Sequence, residues 1–101
     1  MKVAPGPYAI GSKHWPGLGK LIEEAGEVQQ VCGKLLGNDG ASEHWDGTDL
    51  HARLESELAD LQAAIEFVIE ANGLNKQRIG VKRAKKLRTF RGWHACPTAP
   101  S

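Results

Sequence analysis

Two pairs of acidic residues have a spacing that suits the binding of a divalent cation. Glu24 and Glu27 are three positions apart, and so are Glu57 and Asp60. On a helix, side chains three positions apart lie on one face. Mg²⁺ takes oxygen ligands and usually shares its coordination shell with water and substrate phosphates. Two such pairs facing each other would form half of a cage for this ion.

The segments that carry these pairs have the periodicity of amphipathic helices. Apolar residues recur at intervals of three and four over positions 18–36 and again over positions 50–69. A third segment, residues 74–90, carries apolar residues among basic ones and is also expected to be helical despite Gly80. No segment alternates β-branched and aromatic residues as a strand does. The sequence predicts an all-α fold, a helical bundle of antiparallel amphipathic helices.

Proline, glycine and asparagine mark the expected ends of the two long helices. Proline suits the first turn of a helix, so we expect the first helix to begin near Pro16. Gly37 is expected to end that helix, and Asn72 with Gly73 to end the second. A polar loop is expected between them.

A helical projection places the four carboxylates at the seam where two helices would pack. Glu24 lies on the flank of the apolar face, with Glu27 one step further out. Glu57 lies inside the apolar stripe of the second helix, with Asp60 at its edge. Burying an unpaired carboxylate is costly, so a positive charge is expected between them. Either a divalent cation or the basic residues of the third segment would supply it, unless the acids line a solvated groove.

Six further acidic residues are expected on the solvated surface or in loops: Glu43, Asp46, Asp49, Glu55, Glu66 and Glu70.

Charge is divided unevenly along the chain. The first 70 positions hold all 12 acidic residues and five basic ones, a net charge of −7. The remainder holds eight basic residues and no acidic one, a net charge of +8. This asymmetry indicates either an anionic partner or a basic helix that faces an acidic one within the fold. The basic residues after position 70 are Lys76, Arg78, Lys82, Arg83, Lys85, Lys86, Arg88 and Arg91.

The chain has the length of one domain. Its 101 residues, 41% hydrophobic and 25% charged, are typical of a globular protein. We expect an irregular segment over 1–15, one helical domain over 16–93 and a flexible tail over 94–101. No apolar run is long enough to cross a membrane, and the opening residues lack the apolar stretch of a signal peptide, so we expect a cytoplasmic protein. The two cysteines, Cys32 and Cys96, are expected to be free thiols.

Two motifs on these helices resemble those of a known family. The sequence Glu23-Glu24-Ala25-Gly26-Glu27, followed by Glu57-Leu58-Ala59-Asp60, resembles the EExxE and ExxD motifs of the MazG-like nucleotide pyrophosphohydrolases. These enzymes belong to the all-α NTP pyrophosphatase superfamily. The resemblance implies Mg²⁺-dependent hydrolysis of nucleoside triphosphates between the α and β phosphates, with Mn²⁺ as the alternative ion. It also implies a bundle completed by oligomerisation, as a homodimer or homotetramer.

The same resemblance assigns roles to individual residues. Glu23 becomes the candidate base or orienter of the attacking water. Three basic residues of the third segment, Lys82, Arg83 and Lys86, are candidates for contacts with the substrate phosphates. The implied metal ligands are the four seam carboxylates, Glu24, Glu27, Glu57 and Asp60.

Two tryptophans are candidates for stacking on a nucleobase. Trp15 precedes the first helix, and Trp45 lies in the loop between the helices. A nucleobase needs a flat apolar platform, which an indole ring supplies. The alternative is structural: Trp15 would cap the core and Trp45 would anchor the loop.

Other functions remain open. One is a phosphoribosyl-ATP pyrophosphohydrolase, which shares the metal chemistry but differs in substrate. Another is a nucleic-acid-binding or regulatory helical module that uses the basic segment 76–91. Such a module gains nothing from carboxylates beside its apolar stripes, so we do not expect a nucleic-acid partner. The resemblance implies a role in sanitation of the nucleotide pool or, as small single-domain members of the family often have, in phage or mobile-element nucleotide metabolism.

Overall fold

A computed structural model describes residues 13–95, which form three α-helices and no β-strand. Helix α1 spans Leu18–Gly37, α2 spans Leu50–Ala71 and α3 spans Lys76–Trp93. The predicted all-α class is therefore confirmed. The predicted irregular start and flexible tail, together with Cys96, fall largely or wholly outside the described residues, whereas Cys32 is an exposed free thiol.

The start of α1 differs from the expectation at Pro16. The helix begins two residues later, with Gly17 as its N-cap in the left-handed conformation at φ +85°. A Cβ atom on Gly17 would lie 2.5 Å from Cδ2 of Phe67 and 3.2 Å from Cγ2 of Val68. A tertiary contact with α2 therefore fixes this boundary, and Pro16 precedes the helix rather than occupying its first turn.

Helices α1 and α2 pack against each other as an antiparallel hairpin. The side-chain amide of Asn72, the C-cap of α2, donates hydrogen bonds of 2.9 Å to the carbonyl oxygens of Pro16 and Val68. These bonds join the end of α2 to the chain just before α1. The hydrophobic core lies between the two helices and consists, among the described residues, of Val31, Leu50, Ala64 and Val68.

The ends of α2 agree with the sequence analysis. Asp49 caps the N-terminus, where its side chain accepts a hydrogen bond of 3.1 Å from the backbone N–H of Ala52. The helix ends before Asn72, and Gly73 follows with φ +59°, a conformation that favours glycine. The stop signals at Gly37 and at Asn72 are thus confirmed.

The third segment forms a helix, α3, as predicted, but this helix does not complete a bundle with α1 and α2. Asn75 caps it by accepting a hydrogen bond of 2.8 Å from the backbone N–H of Arg78, and it continues through Gly80 to Trp93, past the expected end at Phe90. None of its residues is buried. Among the described residues, no hydrogen bond or ion pair joins α3 to the hairpin.

The molecule is flat and extended. Its principal dimensions are 56 × 40 × 16 Å and its radius of gyration is 17.5 Å, whereas a compact chain of this length has a radius of gyration of about 13 Å. Large apolar side chains of α2 and α3 remain exposed as a result, including Leu58, Ile65, Ile79, Leu87 and Phe90. No helix in the described part of the chain has the length and apolar character needed to cross a lipid bilayer.

Candidate metal centre

The antiparallel hairpin brings three carboxylates together at the seam between α1 and α2. Glu24 from α1 meets Glu57 and Asp60 from α2, and one carboxylate oxygen of each lies within 4.8 Å of the other two. Glu24 is buried, with 8% of its surface exposed, while Glu57 is half-buried and Asp60 is exposed. The cluster therefore has one buried carboxylate and an edge that is open to solvent.

The burial of Glu24 follows from its place on α1. Glu24 precedes Val31 by seven positions, about two helical turns, so the two side chains share a face. Val31 is fully buried, and Glu24, on the same face of α1, is buried in the same seam between α1 and α2. The helical projection gave Glu57 the deeper position, but the structure buries Glu24 more deeply.

Two predicted site residues lie beside this cluster. Glu27 is half-buried on α1, one turn beyond Glu24, but its carboxylate is not part of the group of three. Glu23 is exposed next to Glu24 on the solvent side of the seam. Their roles as fourth metal ligand and as orienter of water remain predictions.

Lys20 is the cation that the sequence analysis missed. Its Nζ lies 3.2 Å from Oε1 of Glu23 and 3.2 Å from Oε1 of Glu24. Hydrogen bonds to Glu24 and then Glu23 raise the pKa of Lys20 above its usual range. Glu23 and Glu24 follow Lys20 by three and four positions, a spacing that predicts such pairs on a helix. The pairing of the seam acids with basic residues of α3 is not found among the described residues; Lys20 supplies the positive charge instead.

The oxygen-only donor set suits a hard divalent cation. Two oxygens bound to one Mg²⁺ at about 2.1 Å are at most about 4.2 Å apart. Oxygens within 4.8 Å of one another therefore need only small side-chain movements to share an ion. The group contains no histidine or cysteine, which favours Mg²⁺ or Mn²⁺ over softer metals.

The predicted phosphate-binding residues form no ion pair with this cluster in the described part of the chain. Lys82, Arg83 and Lys86 are exposed on α3. In the described part of the structure, none of them forms an ion pair with the acidic residues of the hairpin. Their contact with substrate phosphates at this site stays a prediction.

The two candidate stacking residues lie at opposite ends of the hairpin. Trp15 lies just before α1, at the end of the hairpin where Asn72 holds Pro16, and Trp45 lies in the loop that leads into α2. The 20 residues of α1, about 30 Å of helix, run between these ends. The two indoles of one chain therefore cannot stack on the same base. Both are available for contact, with 50% of Trp15 and 87% of Trp45 exposed.

Backbone and side-chain hydrogen bonds hold the loop that contains Trp45. Asn38 donates from its side-chain amide to the carbonyls of Ala41 and Glu43, at 2.9 and 2.7 Å. Asp46 accepts from the backbone N–H of Thr48 at 3.0 Å. The Trp45 indole is exposed and contacts the His44 ring, with the two ring centroids 5.4 Å apart, so its stacking role and its role as the anchor of this loop both stay predictions.

Hydrogen bonds also stabilise the negative charge of the Asp46 carboxylate in this loop. The side chain and the backbone N–H of Thr48, followed by His44, hold the pKa of Asp46 well below its usual range. Nδ1 of His44 lies 3.0 Å from the same carboxylate. These contacts favour the charged form of Asp46, which accepts the hydrogen bond from Thr48 that orders the loop.

Comparison with known proteins does not extend this description. No family model, no curated protein and no solved structure matches the chain. The assignment of a function therefore depends on the residues of the seam and on their geometry.

Proposed function

We propose that the protein is a divalent-cation-dependent nucleotide pyrophosphohydrolase that cleaves nucleoside triphosphates between the α and β phosphates. The observation that carries this proposal is the convergence of Glu24 with Glu57 and Asp60 on facing helices. Three clustered carboxylates at a packing seam are unfavourable unless a cation offsets their repulsion. They also belong to the two motifs that resemble those of the MazG-like enzymes.

In this proposal the carboxylates of Glu24, Glu57 and Asp60 hold Mg²⁺ or Mn²⁺, and Glu27 completes the set. When bound, the cation neutralises the triphosphate and lowers the pKa of a coordinated water. Glu23, exposed beside Glu24, orients the attacking water and accepts its proton. Water adds to one phosphorus of the α–β anhydride, and the bridging oxygen leaves with the other phosphorus. The products are a nucleoside monophosphate and pyrophosphate.

We further propose that the working unit is a homodimer, or a homotetramer built from it. Helix α3 has no buried residue, whereas most of the stability of a helix in a protein comes from the packing of its apolar face. Its apolar residues Ile79, Leu87 and Phe90 are exposed and need a covering surface. Its positive charge complements the acidic hairpin of a second copy. Such an arrangement would also carry Lys82, Arg83 and Lys86 towards an acidic cluster.

One observation favours a second candidate function, the nucleic-acid-binding module. The eight basic residues after position 70 form no ion pair in the described part of the structure. A cavity of about 600 Å³ lies along one side of α3; its described lining residues are Arg78, Val81, Lys82, Lys85, Lys86 and Thr89. A polyanion could follow this surface, with an affinity that falls steeply as salt rises.

Identification of the reaction products by ³¹P NMR tests the proposal. The protein is incubated with Mg²⁺ and a mixture of ribo- and deoxyribonucleoside triphosphates, with phosphoribosyl-ATP in a separate sample. We expect monophosphate and pyrophosphate from the wild type, and none from Glu24→Gln. Glu66→Gln is the matched control because Glu66 is exposed on α2 outside the cluster. Intact nucleotides in every sample, together with salt-sensitive binding of DNA or RNA, would support the second candidate instead.

A further inference from the structure

Lys20 holds two carboxylates at once, and only one of them belongs to the cluster. Its Nζ is equidistant, at 3.2 Å, from Oε1 of Glu23 and Oε1 of Glu24. Glu24 is buried in the seam, while Glu23 and Lys20 are each about half exposed. Among the described residues, no other ammonium or guanidinium group pairs with a carboxylate.

We propose that Lys20 is the built-in counter-ion of the acidic cluster in the cation-free protein, and that a divalent cation binds by displacing it from Glu24. This inference rests on the proposed cation site. Lys20 keeps Glu23 as its partner when it leaves Glu24, because both carboxylates are already within its reach. The displacement is therefore a change of one flexible side chain and leaves no charge without a partner.

The charges explain why the two cations compete. A monovalent ammonium at Glu24 repels a divalent ion that binds to the same carboxylate, and this repulsion is partly screened by solvent at the open edge. A lysine side chain has four rotatable carbon bonds and moves at little cost when it is half exposed. The Lys20 ammonium thus weakens cation binding, while it stabilises the cluster when no cation is present.

Two measurements on the full chain test this proposal: the affinity for Mn²⁺ and the thermal stability without metal. Lys20→Met removes the ammonium and keeps the apolar stem, and Lys20→Gln is a second neutral variant in case the first does not fold. Lys20→Arg keeps the charge. Lys34→Met is the matched control, since Lys34 lies on α1 and makes no ion pair in the described structure. Mn²⁺ titration followed by electron paramagnetic resonance gives the affinity, and thermal unfolding without metal gives the stability.

We expect Lys20→Met and Lys20→Gln to bind Mn²⁺ about threefold to tenfold more tightly than the wild type, from the repulsion between the two charges at partly screened contact distance. Their cation-free melting temperatures fall, whereas Lys20→Arg and Lys34→Met behave like the wild type. Unchanged or weaker Mn²⁺ affinity in both neutral variants would overturn the inference and leave the proposed cation site intact. If neither the wild type nor any variant binds Mn²⁺, the cation site itself is wrong and the inference fails with it.

Discussion

The side-chain amide of Asn72 donates a hydrogen bond to the backbone carbonyl of Pro16, which lies 56 positions earlier in the chain. This bond ties the end of α2 to the start of α1. It lies at one end of the seam in which Glu24 on α1 meets Glu57 and Asp60 on α2.

Replacing Asn72 should therefore weaken the hairpin. Asn72→Ala removes two hydrogen bonds from a partly buried position, and we expect a loss of about 1–2 kcal/mol in the free energy of unfolding. Urea denaturation followed by circular dichroism measures this loss. Gln62→Ala is the control because Gln62 is exposed on α2. Equal stability of the two variants would contradict the role given to Asn72.

Gly17 should tolerate no side chain. Gly17→Ala forces a Cβ into the left-handed conformation and to within 2.5 Å of the Phe67 ring, and we expect a destabilisation of about 2–4 kcal/mol. Gly33→Ala is the matched control. Gly33 lies in α1 with open space around its Cα, so alanine there should stabilise the protein by about 0.5–1 kcal/mol. Chemical denaturation that finds the same sign for both variants would refute the Gly17 contact.

The Asp46 loop should give a pH-dependent contribution to stability. The pKa of Asp46 is lowered in the folded state, so its contribution is complete above the unfolded value of 3.8 and is lost as pH falls through the folded value. We expect the wild type to melt at a higher temperature than Asp46→Asn at pH 7, with a difference that shrinks below about pH 4. Ser42→Ala, a change at an exposed residue of the same loop that does not titrate, should show no such trend. A difference in melting temperature between the wild type and Asp46→Asn that does not change with pH would contradict the lowered pKa of Asp46.

Association through α3 should be visible in the mass of the protein in solution. We expect light scattering to give at least twice the mass of one chain, and Phe90→Glu to shift the protein towards the monomer by burying a charge in the interface. Ile22→Glu is the control, because Ile22 is exposed on α1 rather than on α3. A wild-type protein that is monomeric at all concentrations would exclude the proposed homodimer.

Local patterns in the sequence were sufficient to predict the helices and the acidic seam. Apolar periodicity located α1 and α2, and Gly37 and Asn72 marked their ends. The helical projection against the apolar stripes predicted carboxylates at the seam, where Glu24, Glu57 and Asp60 meet. These features depend on neighbours a few positions apart, and the sequence displays such neighbours directly.

The remaining features depend on tertiary contacts that local patterns do not contain. The start of α1 is fixed by the approach of Gly17 to Phe67, and the greater burial of Glu24 by the way α1 lies on α2. The position of α3 away from the hairpin was not predicted either, because a basic amphipathic segment gives the same pattern whether it covers its own chain or another. Lys20 is different: its spacing from Glu23 and Glu24 was visible and was overlooked.

In the proposed function, Glu24, Glu57 and Asp60 hold a cation for hydrolysis of a triphosphate. The most direct test is the rate of pyrophosphate release as a function of Mg²⁺ concentration, measured for the wild type and three folded variants. We expect Glu24→Gln and Glu57→Gln to lose at least about 100-fold in rate, because each removes a negatively charged ligand of the cation. Glu66→Gln, exposed on the same helix as Glu57, should retain the wild-type rate. Equal rates in all four proteins, or release of pyrophosphate without any divalent cation, would show that hydrolysis does not depend on a cation held by these carboxylates.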